Sequence, residues 1–183
     1  MNFIETKLKG CFLLEPKIIL DERGYFMESF NENTFQKGIG QPVHFVQDNQ
    51  SYSTRGVLRG MHYQTEEHAQ AKLVRVLQGE VLDVAVDIRP ESDTYGQHVA
   101  VLLSAENQKQ LFIPRGFAHG FVVLSETATF FYKCDNFYNK ESEGGILFND
   151  PDIGIDWQFP LDKVLVSEKD KNLPLFKNSR NVW

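Results

Sequence analysis

Gly56-Val57-Leu58-Arg59-Gly60-Met61-His62-Tyr63-Gln64 and, about 55 residues further on, Pro114-Arg115-Gly116-Phe117-Ala118-His119-Gly120-Phe121 are the stretches on which the fold turns. Each sets a histidine in a short apolar run punctuated by glycine. Similar short runs recur along the chain, broken by Gly, Asn, Asp and Pro: Phe12–Leu14, Ile18–Leu20, Tyr25–Phe30, His44–Asn49, Lys72–Gln78, Glu80–Ile88, Gln97–Leu103, Gln110–Ile113, Ala128–Cys134 and Val164–Ser167. Many short strands at even spacing predict an all-β sandwich or barrel. Gln78-Gly79, between two Val-rich runs, predicts a tight hairpin turn. Within Glu80–Ile88, Leu82, Val84, Val86 and Ile88 share one face of a strand, and Val81, Asp83, Ala85 and Asp87 share the other. A face that is half carboxylate meets either water or a polar cavity.

Helical signal is thin. Asn31–Gly38 predicts one or two turns, with Asn31 or Asn33 as cap and Gly38 as stop. The polar tail after Pro160 is expected to wrap the body of the protein, with a turn around Glu168–Lys171. No Pro/Ser/Gly linker divides the chain, so residues 1–183 read as one domain with 160–183 as its wrapping tail.

Nineteen Lys and Arg against twenty-five Asp and Glu give a net charge of −6. That balance argues against a surface that coats nucleic acid, although it leaves room for a local basic patch. Cys11 and Cys134 are far apart and form no CxxC pair, which excludes a disulfide scaffold and a Cys-rich zinc site. Glu5, Lys7 and Lys9 stand where a signal peptide needs apolar residues, and runs such as Phe121–Leu124 are far shorter than the ~20 residues that span a bilayer. The expectation is a cytoplasmic protein with no membrane partner. Asn149-Asp150-Pro151-Asp152-Ile153-Gly154 lacks the spaced ligand set of a calcium loop and reads as a turn.

Together the two histidine stretches resemble the two sequence motifs of the cupin superfamily. The resemblance implies a double-sheet jelly roll with a few short helices and a polar cavity between the sheets. Metal-binding cupins place a second histidine two residues after the first, and Gln64 stands there. His62 and His119 supply two ligands where zinc, iron or manganese usually takes three or more, so no metal is expected, even with Asp83 and Glu80 in reserve.

A closer likeness adds further motifs. Asp21-Glu22-Arg23-Gly24-Tyr25-Phe26-Met27-Glu28, Gln47-Asp48-Asn49-Gln50-Ser51, the Val57–Gln64 stretch, Lys72-Leu73-Val74-Arg75-Val76, the Pro114–Phe121 stretch, Ser142-Glu143-Gly144-Gly145-Ile146 and Ser167-Glu168-Lys169-Asp170 follow in this order. They resemble the dTDP-4-dehydrorhamnose 3,5-epimerases from about residue 3 to about residue 175. The resemblance implies a cofactor-free isomerase that inverts carbons 3 and 5 of a 4-keto-6-deoxyhexose carried on dTDP, in dTDP-L-rhamnose formation. A hydrogen beside a ketone can be removed if a base stands over it and the enolate oxygen is stabilised; inversion then needs an acid on the opposite ring face.

The family likeness gives His62 the role of base, and imidazole titrates near working pH. Asp170 matches the carboxylate that orients it, Lys72 the cation aimed at the enolate oxygen, and Tyr132 the acid. Arg23, Phe26, Glu28, Gln47, Asn49, Arg59, His119, Tyr138, Glu143 and Lys169 match substrate contacts, with Tyr138 on the thymine. On a regular strand Arg59 and His62 point to opposite faces, so both reach one site only if Gly60 marks a bulge or bend. Strand alternation puts Tyr132 with Phe130 and Cys134, and Lys72 with Val74 and Val76. Family members are dimers that exchange N-terminal strands, so Arg23, Phe26 and Glu28 are expected to serve a partner's site. The alternatives are a single-carbon epimerase, a metal-dependent cupin and a non-catalytic sugar-binding cupin.

Overall fold

The computed structural model describes residues 1–182. Two antiparallel sheets lie face to face. One has six strands in the order β1 (Asn2–Glu5), β2 (Phe12–Glu15), β10 (Gln110–Ile113), β7 (Lys72–Gln78), β12 (Thr127–Cys134) and β5 (Gln47–Thr54). The other has five, in the order β13 (Glu143–Gly145), β6 (Leu58–Gln64), β11 (Phe117–Val123), β8 (Glu80–Asp87) and β9 (His98–Ser104). β3 (Ile19–Asp21) and β4 (Gly24–Phe26) form a separate hairpin. This is the double-sheet, cupin-type jelly roll that the histidine motifs imply.

The inner core is built by period-2 strands meeting across the gap. Val74, Val76, Leu111, Ile113, Ala128 and Phe130 from one sheet pack on Val81, Ala85, Val99, Leu103, Phe121 and Val123 from the other. β8 shows how: Val81, Asp83 and Ala85 point inward, while Leu82, Val84 and Val86 belong to a second cluster on the back of the sheet. The half-carboxylate face therefore meets the interior between the sheets, not water. Gln78-Gly79 is not a hairpin turn. β7 pairs with β10 and β12, whereas β8 pairs with β9 and β11. The two Val-rich runs stack across the core, so the chain uses Gly79, at a φ of +77°, to turn a corner between sheets.

Other elements depart from expectation in instructive ways. α1 (Glu32–Ile39) runs past Gly38 and stops at Gly40, a left-handed cap; Asn31 caps its start by accepting from the Thr34 N–H. Phe35 and Ile39 draw the helix onto the back of the six-stranded sheet, and that apolar face extends it beyond the glycine. Val164–Ser167 forms no strand, only an isolated parallel bridge between Leu165 and Val57. β5 starts at Gln47 and runs on to Thr54, a polar stretch held by full pairing with β12. Asn2–Glu5 and Glu143–Gly145 are strands that the sequence left unmarked, since each borrows its structure from a neighbour.

The C-terminal segment covers the back of the five-stranded sheet. Ile146, Ile153, Trp157 and Val182 pack on Leu58, Met61, Leu82, Val84, Ala118 and Val122. Trp157 is 1% exposed and its indole N–H donates to the Phe148 carbonyl at 2.8 Å. The turn at Asn149–Gly154 is tied by Asp150, which accepts from the N–H groups of Asp152, Ile153 and Phe176. Both cysteines are buried and unpaired. Among the described residues no helix is long and apolar enough to cross a membrane.

Because Trp157 anchors the segment that later delivers Asp170, Trp157→Ala is expected to cost about 3–5 kcal/mol of unfolding free energy. Urea denaturation checks it; a change below about 1 kcal/mol would mean the segment is not part of the core.

Candidate active site

A cavity of about 700 Å³ opens between the sheets. His62, Arg59, Tyr63 and Gln64 reach it from β6, His119 and Phe121 from β11, Lys72 from β7, Phe130, Tyr132 and Cys134 from β12, and Gln47, Asn49, Gln50 and Ser51 from β5. Tyr138 and Glu143 close one side, and Leu165, Ser167 and Asp170 come from the C-terminal segment.

Arg59 and His62 do share the cavity, and the reason is the break in β6. His62 pairs with His119 and Arg59 with Phe121, so three steps on β6 match two on β11. The extra residue falls at Gly60-Met61, the irregularity needed to bring both side chains to one face. Gly60 has a φ of +122°, and a Cβ there would stand 2.6 Å from the Gly120 Cα and 2.7 Å from the His119 carbonyl oxygen. Only glycine fits. The Arg59 Nε–H donates to Ser53 Oγ at 3.2 Å.

The centre of the site is a histidine–carboxylate pair. His62 Nε2 lies 3.0 Å from Asp170 Oδ1, and the Gly60 N–H donates to Asp170 Oδ2 at 3.2 Å. Asp170 sits in a short helix, α2 (Glu168–Lys171), whose N-cap Ser167 accepts from the Asp170 N–H. Burial alone would raise the Asp170 carboxyl, but the hydrogen bond and charge of His62, with the Gly60 N–H, outweigh it and hold the group below the ordinary carboxylate range. Among the described residues His62 Nδ1 has no hydrogen-bond partner. Glu143 Oε1 is 3.9 Å from it.

Facing this pair across the cavity, Tyr132 shares its strand face with Phe130 and Cys134, as the alternation predicts. Burial raises its phenol, so the resting side chain keeps its proton. Lys72 Nζ is 5.9 Å from the Tyr132 ring centre. Burial lowers the Lys72 ammonium, opposed by its electrostatic interactions with Cys134, Asp83 and Glu143. At the mouth Glu143 bonds both Lys169 Nζ and, at 3.2 Å, the Tyr138 hydroxyl. Gln47 Nε2 donates to Asn49 Oδ1 at 3.1 Å.

Not every expected site residue is gathered here. Lys169 stands at the rim, joined to the cavity through Glu143. Arg23, Phe26 and Glu28 do not line this chain's cavity. They lie on or beside the exposed β3–β4 hairpin, where Arg23 pairs with its neighbour Asp21 and Phe26 is 68% exposed. Gln64, at the position of a metal ligand in other cupins, spends its amide on backbone: it donates to the carbonyls of His68 and Phe137 and accepts from the Asn139 N–H. Among the described residues no group of three or more His, Cys, Asp or Glu is placed to hold a metal ion. Ser53, which accepts from Arg59, left no signal in the sequence; Ser167, which caps the turn of Asp170, and Asp83, which pairs with His119, were legible only as a motif member and a spare metal ligand.

The fold and site define a cupin-type roll with a histidine–carboxylate pair in the cavity between its sheets. The family model for dTDP-4-dehydrorhamnose 3,5-epimerase matches residues 5–178, and the chain belongs to that family of epimerases. It is 57% identical over 172 residues to the dTDP-4-dehydrorhamnose 3,5-epimerase of Shigella flexneri, covering 94% of each chain. The crystal structure of the Elizabethkingia anophelis dTDP-4-dehydrorhamnose 3,5-epimerase superposes with a TM-score of 0.95 at 58% identity, covering 97% of both chains. The Legionella pneumophila 3,5-epimerase, solved in complex with dTDP-4-keto-L-rhamnose, gives a TM-score of 0.93 at 50% identity, covering 97% of this chain and 93% of that one.

The depressed Asp170 carboxyl fixes the sign of an acid effect. Its stabilising contribution is present above the unfolded value of about 4 and is lost as pH falls through the lower folded value. Asp170→Asn is therefore expected to flatten the acid limb of stability measured by denaturation from neutral pH downward. An unchanged acid limb would show that the pair is not formed in solution.

Proposed function

We propose that this chain is a dTDP-4-dehydrorhamnose 3,5-epimerase, turning dTDP-4-dehydro-6-deoxy-D-glucose into dTDP-4-dehydro-L-rhamnose in dTDP-L-rhamnose biosynthesis. The observation that carries the reading is the placement of a carboxylate-paired histidine on one cavity wall and a protonated tyrosine on the other. His62 comes from the five-stranded sheet, Tyr132 from the six-stranded one. A ring held between them has a base on one face and an acid on the other, which is what inversion beside a ketone requires.

In this reading His62 removes the hydrogen from the carbon next to the ketone, and Asp170 stabilises the resulting imidazolium. The bonding pair moves into the carbonyl, and the Lys72 ammonium stabilises the enolate oxygen. The Tyr132 hydroxyl then gives its proton to the opposite face of the same carbon, and both side chains exchange protons with solvent before the second carbon reacts. The protein's own residues supply every group in this sequence, so no cofactor is invoked. Arg59 and Lys169 serve the diphosphate, since arginine offers bidentate geometry. Gln47, Asn49, Glu143 and His119 hydrogen-bond the ligand, and Tyr138 stacks on thymine.

The chain acts as a single-domain homodimer in the cytoplasm. Support for the dimer comes from the β3–β4 hairpin: Ile19, Leu20, Tyr25 and Phe26 are all more than half exposed, an apolar surface that a second copy would cover. Arg23, Phe26 and Glu28 then reach the partner's cavity.

Proton NMR of the 4-keto sugar nucleotide in deuterated water is the test. Deuterium is expected at both carbon 3 and carbon 5, with inversion; exchange at one carbon alone contradicts the double epimerisation. His62→Asn is expected to abolish exchange while keeping dTDP affinity, and Tyr132→Phe to impair inversion more than the first exchange. Equal loss of exchange in both variants would contradict the assigned division of labour.

A further inference from the structure

A second histidine–carboxylate pair reaches the cavity through His119. His119 Nε2 lies 2.8 Å from Asp83 Oδ1, and Asp83 is fully buried. Asp83 enters on the inward face of β8, between Val81 and Ala85, with Phe121 opposite it on β11 and Val101 on β9. Its second oxygen, Oδ2, has no hydrogen-bond partner among the described residues. A carboxylate in an apolar wall with one oxygen unsatisfied is a poor stabilising device, because apolar residues of similar volume hold a core at least as well. Its place has to be explained by what it does to its neighbours.

Taking the epimerase reading as its basis, we propose that Asp83 is a positioning residue for the reaction. It holds the His119 ring with Nε2 as donor, so that Nδ1 meets a hydroxyl of the hexose as acceptor. It also supplies the counter-charge that keeps Lys72 an ammonium opposite the enolate oxygen.

A carboxylate only accepts, so the shared proton belongs to His119 Nε2. Burial lowers the imidazole; the Asp83 charge and hydrogen bond oppose that, while Lys72 and His62 reinforce it, and the net direction is toward the neutral ring. A neutral ring with Nε2–H leaves a lone pair on Nδ1. That atom suits a sugar hydroxyl and not a phosphate oxygen, which has no proton to give. The same carboxylate faces the Lys72 problem. Three groups oppose the desolvation of Lys72: Cys134, Asp83 and Glu143. Cys134 lies directly opposite Lys72 on β12, but burial raises its thiol, so it stays neutral near pH 7. Glu143 is already bonded to Lys169. Tyr132, whose ring Lys72 approaches, is also kept neutral by burial, and His119 is a neutral ring that offers no counter-charge. Asp83 is the counter-charge left.

Asp83→Asn, read by nitrogen NMR of the imidazoles, carbon NMR titration of Lys72 and steady-state kinetics, tests this. In the wild-type protein His119 is expected as the Nε2–H tautomer. In the variant Lys72 is expected to lose its proton at lower pH, and the alkaline fall of kcat to move the same way. The kcat falls by about tenfold, less than the roughly hundredfold that loss of an oxyanion donor costs, with a smaller change in KM. An unchanged His119 tautomer and Lys72 titration in a folded variant would overturn the proposal. If the variant does not fold, the wild-type spectrum decides: an Nδ1–H tautomer or an imidazolium at neutral pH overturns it equally. The NMR readouts need no turnover, so wild-type protein that fails to exchange the sugar's hydrogens counts against the epimerase reading and not against the placement of Asp83.

Discussion

The bond between His62 and Asp170 is the contact on which the rest of the site depends. It joins β6, next to the edge of the five-stranded sheet, to a short helix near the end of the chain, and the same carboxylate takes the Gly60 N–H, 110 positions away in sequence. Three constraints have to hold for it to form. β6 must carry an extra residue, so that His62 turns to the same side as Arg59. Glycine must stand at 60 and 120, because the strands approach too closely there for a Cβ. The C-terminal segment must be anchored, by Trp157 in the outer core and by the Leu165 bridge to Val57, before Ser167 can cap the turn that aims Asp170. The outer hydrophobic core thus holds one half of the His62–Asp170 pair in place.

Electrostatics are handled locally. The chain carries a net charge of −6, yet the proposed ligand is itself an anion. The cavity resolves this by giving each carboxylate a partner: Asp170 has His62 and Gly60, Asp83 has His119, and Glu143 has Lys169 and Tyr138. The cations Arg59 and Lys72 are left without a carboxylate in direct salt bridge among the described residues. Pairing of this kind keeps ionised groups tolerable in a partly dry space.

Much of this was legible in the chain. Period-2 alternation placed Tyr132 beside Phe130 and Cys134, and put Asp83 on a face that had to be polar or wet. The conflict between Arg59 and His62 on a regular strand marks Gly60 as the place of a break. What was not legible depends on long-range pairing. Gln78-Gly79 looks like a hairpin turn, because local sequence does not say whether two strands meet edge to edge or face to face. Gly38 looks like a helix stop, yet the burial of Ile39 carries the helix one turn-position further. Asn2–Glu5 and Glu143–Gly145 become strands only because β2 and β6 offer free edges. Arg23, Phe26 and Glu28 read as site residues but lie outside this chain's cavity, on or beside an exposed hairpin whose place local sequence does not reveal.

The central claim is that a hexose ring lies between His62 and Tyr132 with its ketone toward Lys72. A crystal structure of the His62→Asn variant with the dTDP-linked 4-keto sugar tests it most directly. The account predicts the side chain at 62 and the Tyr132 hydroxyl on opposite faces of the ring, with the carbonyl oxygen within hydrogen-bond reach of Lys72 Nζ. A ring with both side chains on one face, or with its ketone turned away from Lys72, would contradict it.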